Sequence, residues 1–190
     1  MKSADDDDAD ERLARWAANG DRAAFGQLIV RYKEPLYRLL RRLTGQPEDA
    51  LDLVQETFIA LWQSLPRYDP DRPFESWVRR IAINKAHDWS RRRTVRRFLF
   101  AVPRSNGGYD AAPDPRPSPE TMASDVQQMQ LLDRAIAALP TVLKEPLVLT
   151  AIDGLSQREA ATVLGISEKA VETRIRRARL RLAEVVDREP

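Results

Sequence analysis

Apolar residues recur at steps of three and four through most of the chain, which is the spacing of one face of an α-helix. The pattern is most regular between Pro47 and Leu65, where five apolar side chains form one stripe: Leu51, Val54, Phe58, Leu61 and Leu65. The same spacing predicts helices over Glu11–Asn19, from Asp21 and from Phe74. Strand-like alternation is nearly missing, so the sequence predicts an all-α fold.

Proline clusters mark the boundaries between predicted helical units. Three prolines place residues 67–73 in a loop, and five of the thirteen prolines lie between Pro103 and Pro119, beside an Asn-Gly-Gly sequence. This second composition is typical of a linker. The chain is therefore predicted to contain two small helical domains, residues 11–99 and 123–190, joined by a flexible linker at residues 100–122.

Two further prolines fall inside predicted helices. Pro35 is expected to restart or bend the second helix, because proline has no amide hydrogen to donate. Pro146 is expected to delay or bend the first helix of the second domain for the same reason.

Charge is strongly segregated although the net charge is only +2. Six carboxylates lie between residues 5 and 11, and residues 1–10 are expected to form a disordered acidic tail. Residues 79–97 carry eight Lys or Arg against one Asp, and residues 169–181 carry six against one Glu. Two basic stretches predict a polyanionic partner that is contacted in two places.

Other chemistry is excluded or disfavoured by composition. The chain has no cysteine, which excludes disulfides and zinc-thiolate sites and agrees with a reducing cytoplasm. No apolar run has the length of a membrane-spanning helix, and the acidic N-terminus is unlike a signal peptide. We therefore expect a soluble intracellular protein without membrane insertion.

A helix-turn-helix is predicted near the C-terminus. Ser156 and Glu159 have the spacing of a capping box, Gly165 permits a tight turn, and Ser167 can cap the next helix. That helix has an inward apolar stripe: Val171, Ile175, Ala178, Leu182 and Val185. Its opposite face carries Lys169, Thr173, Arg176 and Leu180.

The second helix of such a motif reads the major groove of DNA. Arg176 and Arg177 suit guanine, and Glu172 suits the amino group of cytosine. The alternative is a helical hairpin whose arginines are only solvated. Five arginines between Arg174 and Arg181 favour DNA, because a polyanion relieves their mutual repulsion.

Aromatic and basic residues are interleaved in the first domain. Rings beside cations suit unstacked single-stranded bases, and Tyr68 in its loop is the better candidate for base contact. Phe74, Trp77 and Ile81 are open to a second interpretation as ordinary core, which we favour for Trp77.

Three carboxylates lie along the helix that follows Pro47. Asp49, Asp52 and Glu56 suggest either the metal site of a nuclease or a face that binds a partner or is merely solvated. The second interpretation is favoured, because one helix supplies all three groups and no histidine lies nearby in the sequence.

Taken together, these motifs resemble the extracytoplasmic-function (ECF) sigma factors of bacterial RNA polymerase over nearly the whole chain. The sequence Asp52 to Phe58 is similar to region 2.2 of that family, which docks on the β′ clamp helices. The resemblance implies that four residues contact core polymerase: Asp49, Asp52, Gln55 and Glu56. Residues 95–100 are similar to the cobalt and nickel resistance type.

The resemblance also implies two DNA sites. Region 2.3 of the family captures a base flipped from the −10 element, which makes Tyr68 and Asn84 the candidates for the base pocket. The implied contacts to the −10 element as a whole are Tyr68, Asp69, Asp71, Arg72, Arg80, Asn84, Lys85, Arg91 and Arg92. Region 4 reads the −35 duplex and also binds the β flap of the polymerase. Its implied DNA contacts are Ser167, Lys169, Glu172, Thr173, Arg174, Arg176 and Arg177.

The family relationship implies an initiation subunit with no catalytic residues, metal or cofactor. Core polymerase, promoter DNA and a cognate anti-sigma factor are the implied partners. The expected location is the cytoplasm, or the inner membrane where a membrane-bound anti-sigma factor holds it. An alternative function is a two-domain helix-turn-helix regulator that does not bind polymerase.

Overall fold

The computed structural model describes residues 4–99, 132 and 134–186, which are helical with no strand among them. The N-terminal unit contains α1 (Ala4–Ala18), α2 (Arg22–Thr44), α3 (Pro47–Ser64), a 3₁₀ turn (Leu65–Arg67) and α4 (Phe74–Leu99). The C-terminal unit contains a helical segment at residues 134–138, α5 (Thr141–Leu147), a π-helical turn (Val148–Ile152), α6 (Gln157–Leu164) and α7 (Glu168–Val186). The all-α prediction is confirmed. The predicted linker at residues 100–122 lies outside the described residues.

Local signals fix several helix ends. The Oδ1 atom of Asp21 accepts hydrogen bonds from the amides of Ala23 and Ala24, at 2.8 and 3.1 Å, and caps the start of α2. Gly45 adopts a positive φ of 76° and ends that helix. Pro47 then occupies the first turn of α3, where its missing amide hydrogen is not needed.

The N-terminal acidic residues are not all part of a disordered tail, so that expectation is wrong for residues 4–10. Helix α1 begins at Ala4, and Asp10 is only 1% exposed. Its two carboxylate oxygens accept hydrogen bonds from Arg31 and from the hydroxyl of Tyr32, each at 2.6 Å. Carboxylates also stabilise the first turn of a helix electrostatically, which favours helix over tail.

For each of the two internal prolines, one of the two expected effects does not occur. Pro35 lies inside a continuous α2 and does not restart it. Pro146 lies inside α5, which begins at Thr141 and so does not start late. The helix widens into the π turn directly afterwards, and the hydroxyl of Thr150 donates to the carbonyl oxygen of Pro146 at 2.8 Å.

The predicted apolar stripe of α3 is wrong at Leu51, which is 47% exposed. Helix α3 packs against both α2 and α4, so its buried face is broader than a single stripe and points away from this residue. The buried residues are Ala50, Leu53, Val54, Thr57, Phe58 and Leu61.

The two units share one continuous core of buried apolar residues. Leu28, Leu39 and Leu61 are fully buried in the N-terminal unit, and Leu149 and Val171 in the C-terminal unit. Helix α4 contacts α6, while α2 contacts α5 and the π turn. The described units are therefore packed together rather than held apart.

Candidate nucleic-acid interface

The loop before α4 is held by contacts within itself and with the aromatic core. The ring of Tyr68 lies 4.9 Å from that of Trp77, tilted by 35°, and meets the ring of Phe74 edge-on at 5.3 Å. The Tyr68 hydroxyl donates a hydrogen bond to the backbone carbonyl oxygen of Arg72 at 2.7 Å. Burial, followed by the nearby Glu11 carboxylate, raises the pKa of Tyr68 to about 12, so the phenol stays neutral and keeps its donor hydrogen.

Three charged residues of the same loop are linked to one another. The Oδ1 atom of Asp69 accepts from the amide of Asp71 at 3.1 Å, and the Oδ2 atom pairs with the Nε atom of Arg72 at 3.2 Å. All three side chains are exposed. The loop thus presents a preformed polar rim around the half-buried ring of Tyr68.

Phe74 is 1% exposed and belongs to the core, whereas Trp77 is half-buried against it. Ile81 is also half-buried against the core. The packing of Trp77 therefore agrees with the favoured interpretation of this residue as part of the core. Its ring also packs against that of Tyr68.

The basic residues of α4 divide into two groups. Arg80 points at the C-terminal unit, where its guanidinium donates to the carbonyl oxygens of Val163 at 3.2 Å and Thr162 at 2.5 Å. Asn84 is exposed and lines the groove beside it. Lys85 and Arg92 instead pair with one carboxylate oxygen of Glu56, at 3.8 and 3.6 Å.

Arg91 pairs with Asp88 on its own helix, and this hydrogen bond lowers the pKa of the Asp88 carboxyl. The guanidinium of Arg93 lies 5.0 Å from the centre of the Trp89 ring, which is a cation–π distance. The exposed end of this basic stretch therefore combines cations with an aromatic face.

The predicted polymerase contacts lie on the outer side of α3. Asp52 and Gln55 are exposed, while Asp49 and Glu56 are half-buried. Two apolar side chains share this side and were not predicted to be exposed: Leu51, and Ile59 at 58%. Over residues 4–99, 132 and 134–186, no three acidic or histidine side chains are grouped so as to hold a metal ion.

The helix-turn-helix has the predicted local geometry. The Ser156 hydroxyl oxygen accepts from the Glu159 amide at 3.2 Å, and the Glu159 carboxylate accepts from the Ser156 amide at 2.7 Å. Hydrogen bonds from Ser156 lower the pKa of the Glu159 carboxyl. Gly165 has a φ of 66°, and the Ser167 hydroxyl oxygen accepts from the amide of Ala170 at 3.2 Å.

Helix α7 separates an apolar face from a basic one. Val171, Ile175 and Ala178 are buried, as the sequence predicts. Arg176 and Arg177 are exposed. The side chain of Val185, predicted to point inward, lies outside the described side chains.

The other predicted DNA contacts on α7 do not all share one environment. The Lys169 ammonium pairs with Glu172 at 3.1 Å, and the Thr173 hydroxyl donates to the carbonyl oxygen of Lys169 at 2.8 Å. Arg174 is half-buried and lines the groove that also contains Arg80. Arg174 therefore lies in the groove, whereas Arg176 and Arg177 are exposed to solvent.

The charged contacts between the two units were not predicted from the sequence. Arg79 is 8% exposed and pairs with Asp153 at 2.6 Å, as well as with Glu75 on its own helix at 2.7 Å. His87 is hydrogen-bonded to the buried Glu145. Partners 58 and 74 residues apart leave no local pattern in a sequence.

Lys144 is a further residue that sequence analysis missed. It is 7% exposed, and its ammonium donates to the carbonyl oxygens of Ala137 at 2.7 Å and Leu43 at 3.3 Å. Burial lowers the pKa of this ammonium. The adjacent charges of Lys144 and Glu145 within the otherwise apolar run at 142–149 were the one available signal.

Comparison with known proteins identifies the family. Residues 28–96 match Sigma-70 region 2, and residues 129–182 match Sigma-70, region 4. RNA polymerase sigma factor CnrH of Cupriavidus metallidurans is 44% identical over 95% of this chain and 96% of its own length. The ECF RNA polymerase sigma-E factor of Escherichia coli is 31% identical, over 90% of each protein. The chain belongs to the ECF sigma factors.

Further relatives agree with this ECF assignment. RNA polymerase sigma factor NccH of Alcaligenes xylosoxydans is 40% identical over 95% of the chain and 96% of its own length. A solved structure of CnrH in complex with the cytosolic domain of CnrY has a TM-score of 0.69 and 37% identity. It covers 96% of this chain and 99% of CnrH. The family predicted from the motifs is confirmed.

The ECF assignment also confirms that the chain is not an enzyme, because sigma factors are non-enzymatic initiation factors. RpoE of Bartonella quintana, solved with the anti-sigma factor NepR, shares the fold with a TM-score of 0.69 at 21% identity. It covers 87% of this chain and 98% of RpoE. None of the described helices combines the length and the apolar character needed to cross a bilayer.

Proposed function

We propose that this ECF sigma factor binds core RNA polymerase, recognises a −35 and a −10 promoter element, and helps to open the −10 element. The observation that supports this proposal is the preformed loop at Tyr68. The neutral phenol closes the loop, and its ring packs at a tilt against that of Trp77. Such a loop suits capture of a single unstacked base. Residues 11–99 act as region 2 in this proposal, residues 100–122 as the linker, and residues 123–190 as region 4.

The proposed opening of the −10 element is supported by the energies of base flipping and stacking as well as by the shape of the loop. Flipping a base out of the duplex costs a few kcal/mol. Stacking of a base on an aromatic ring stabilises the bound state by roughly 1–3 kcal/mol. Because the loop is already ordered, little of this stacking energy is lost to ordering the loop on binding. The loop can therefore promote strand opening without hydrolysis of ATP. The basic end of α4, from Lys85 to Arg92, would neutralise phosphates of the opened strand.

The −35 role rests on the exposed basic face of α7. Arg176 and Arg177 project from the first half of the second helix of a helix-turn-helix, the part that reaches base edges in the major groove. Glu172 and Lys169 are exposed beside them. The remaining proposed contacts, Ser167, Thr173 and Arg174, flank this face.

The polymerase contact is assigned to the outer side of α3. Its exposed acidic and amide groups, Asp52 and Gln55, lie next to the exposed apolar side chains of Leu51 and Ile59. This combination suits a protein interface, in which apolar anchors supply affinity and charges supply orientation. The β′ clamp helices are the proposed partner here, and the β flap is the proposed partner of the C-terminal unit.

Regulation by a cognate anti-sigma factor is part of the proposal. CnrH, a 44% identical relative, has been solved with the cytosolic domain of CnrY, and RpoE has been solved with the anti-sigma factor NepR. We propose a comparable partner for this chain, which would be located in the cytoplasm or held at the inner membrane by that partner.

Run-off transcription with purified core polymerase tests the function directly. We expect specific transcripts from a subset of promoters in a genomic library, and co-purification of the chain with core enzyme. Promoter binding without polymerase binding would instead establish a helix-turn-helix regulator. Absence of any transcript and of any polymerase complex would refute the proposed function.

A further inference from the structure

Helix α1 lies beside the loop that carries Tyr68. It packs against the 3₁₀ turn Leu65–Arg67, which directly precedes Tyr68, and against α4, which follows the loop. The loop is therefore flanked by α1 as well as by α4. None of the proposed −10 contacts comes from α1, although this helix borders the same loop.

A chain of buried contacts fixes α1 relative to the ring of Tyr68. The buried carboxylate of Asp10 in α1 accepts hydrogen bonds from Arg31 and from the hydroxyl of Tyr32, each at 2.6 Å. The ring of Tyr32 meets that of Phe74 at 5.6 Å and 71°, and Phe74 in turn meets Tyr68 edge-on at 5.3 Å. Helix α1 cannot slide or rotate without breaking the hydrogen bonds of a buried charge, which is costly. The side chains that follow Asp10 are therefore held in a fixed position beside the loop.

Two charged residues of α1 lie near the phenol of Tyr68. Glu11 and Arg15 are one helical turn apart, so they project from the same side of α1. Burial and then the Glu11 carboxylate raise the pKa of Tyr68 to about 12, while the Arg15 guanidinium acts in the opposite direction. Glu11 is half-buried and Arg15 is exposed. A hydrogen-bond acceptor and a cation therefore lie beside the ring that is proposed to stack a base.

The rim of the loop is acidic where a nucleotide would enter. Asp69 and Asp71 are exposed, and Arg72 is already paired with Asp69 at 3.2 Å. A phosphate that accompanies a base to Tyr68 is repelled by these carboxylates unless a cation lies close to it. The loop therefore requires a cation from a neighbouring element.

The cations of α4 are poorly placed to neutralise this phosphate. Arg79 is buried, and Arg80 donates hydrogen bonds to carbonyl oxygens of α6. Lys85 lies roughly 12 Å further along the helix axis than Trp77, at about 1.5 Å per residue. The basic end of α4 therefore suits nucleotides further along the strand, whereas Arg15 is exposed beside the loop itself.

We propose that α1 forms a further wall of the −10 site, in which Arg15 binds the phosphate of the nucleotide stacked on Tyr68 and Glu11 reads its base. This role rests on the proposed function, because it requires a base at Tyr68. A guanidinium can donate two hydrogen bonds to one phosphate, which suits Arg15 to the contact. A carboxylate accepts a hydrogen bond from an amino group, so Glu11 favours adenine or cytosine over thymine, which has no amino group.

The phosphate contact is tested in the full chain with two matched variants. Arg15→Ala removes the proposed contact, and Arg12→Ala removes the same charge from the same helix. Arg12 is exposed on the side of α1 opposite the buried Ala14 and Ala17, so it points outward into solvent. Circular dichroism establishes that both variants keep their helices.

Fluorescence anisotropy measures affinity for the single −10 strand of a promoter found by run-off transcription. Arg15→Ala is expected to weaken binding by about fivefold, the upper range for one exposed ion pair. It should also lower the slope of log affinity against log salt by about 0.7, the value for one phosphate contact to a single strand. Arg12→Ala should keep nearly the wild-type affinity and slope. Equal losses in Arg15→Ala and Arg12→Ala would overturn the contact.

A neutral methylphosphonate placed at single positions of the strand locates the contact. The nucleotide that stacks on Tyr68 is identified as the one where an abasic site removes the effect of Tyr68→Ala. A methylphosphonate beside that nucleotide should weaken binding of the wild type and leave Arg15→Ala unaffected, because the variant has already lost the contact. Equal losses in the wild type and Arg15→Ala at every position would also overturn the contact.

Glu11→Gln tests the reading of the base. Glutamine keeps the length of the side chain, but its amide both donates and accepts, so it does not reject a base carbonyl. The wild type is expected to bind strands with adenine or cytosine at the stacked position about tenfold more tightly than the thymine strand, a preference that falls to about twofold in Glu11→Gln. Equal tightening of all strands in Glu11→Gln would be an effect of net charge and would overturn the reading role.

Failure of this role and failure of the proposed function give different results. If Tyr68→Ala weakens strand binding and the wild type initiates transcription, while Arg15→Ala matches Arg12→Ala, the role of α1 fails alone. If the wild type neither binds the −10 strand nor initiates with core polymerase, the proposed function fails and the role of α1 fails with it.

Discussion

The hydroxyl of Tyr68 donates its hydrogen to the backbone carbonyl oxygen of Arg72 over 2.7 Å, which closes the loop that precedes α4. Because the ring of Tyr68 also packs against that of Trp77, this half-buried side chain both closes the loop and contacts an aromatic residue of α4. These two roles can be separated by substitution.

Tyr68→Phe removes the hydrogen bond and keeps the ring, whereas Tyr68→Ala removes both. Loss of the hydrogen bond should weaken binding of the −10 strand by roughly 1 kcal/mol, through a less ordered loop. Loss of the ring should cost a further 1–3 kcal/mol, approximately the value of one stacked base. Anisotropy titrations with the −10 strand measure both steps. Equal losses in the two variants would contradict a stacking role for the ring.

Closure of the two units should depend on pH through His87. The side-chain hydrogen bond from Glu145 is the largest influence on His87 and raises its pKa above the ordinary value of 6.5. The groups that face His87 are Glu145 from α5 and Arg174 from α7, while Asp88, Arg91 and Arg80 lie along its own helix.

The sign of the effect follows from this raised pKa. The closed chain binds the His87 proton more tightly than the open chain, so the contribution to closure is complete below 6.5 and is lost as pH rises through the raised value. Energy transfer between dyes attached to the two units should therefore fall as the pH rises above about 6.5. His87→Gln should abolish this step, since the chain has one histidine. A step that persists in His87→Gln would exclude His87 as its origin.

Helix ends were predictable because their signals are local. Ser156, Glu159 and Gly165 act on amides within a few residues of themselves, so the predicted capping box and turn agree with the structure. Burial was less predictable. The spacing of apolar residues predicted α3, but Leu51 fits the same spacing and is exposed, because the packing of α2 and α4 decides which side is covered.

Long-range partners were not predictable from one sequence. Asp10 appeared to belong to a disordered acidic tail, yet its partners Arg31 and Tyr32 lie 21 and 22 residues away. The ion pair between Arg79 and Asp153 was not predictable for the same reason, because in the sequence neither residue differs from an ordinary surface charge. The predicted DNA contacts have the expected residue types, but the structure alone reveals that Arg80 and Arg174 face a groove between the units.

Ser156→Ala should destabilise the helix-turn-helix by about 1 kcal/mol, the usual cost of removing a helix cap. The Ser156 hydroxyl oxygen satisfies the Glu159 amide, and the alanine side chain cannot. Thermal unfolding monitored by circular dichroism measures the loss. Ser156→Asp is the matched control and should retain most of the stability, because aspartate also caps helices. Equal losses in both variants would rule out the cap as the cause.

Arg176→Ala and Arg177→Ala should each weaken binding of −35 duplex by roughly 1–3 kcal/mol, if each pairs with a guanine. The loss should be confined to one base-pair position per residue. Competition assays with duplexes substituted at single positions measure this directly. Arg181→Ala is a useful control, since Arg181 is exposed on the same helix further from its start. A loss that is uniform across sequences would indicate contacts to phosphates.

Substitution of Glu56 should change polymerase binding and DNA binding in opposite directions. Its carboxylate lies within 4 Å of Lys85 and Arg92, at 3.8 and 3.6 Å, so it partly neutralises two proposed −10 contacts. Glu56→Gln should therefore weaken binding to core polymerase and strengthen binding of the free chain to the −10 strand. The expected gain is below about 1 kcal/mol, because these pairs are partly exposed and screened by solvent.

Asp52→Asn is the matched substitution for this test, because Asp52 is exposed on the same helix one turn earlier. It should weaken polymerase binding and leave affinity for the −10 strand unchanged. Raising the salt concentration should shrink the gain of Glu56→Gln, because the pairs it breaks are electrostatic. An equal gain in both variants would mean that the effect arises from net charge rather than from the contacts that Glu56 makes with α4.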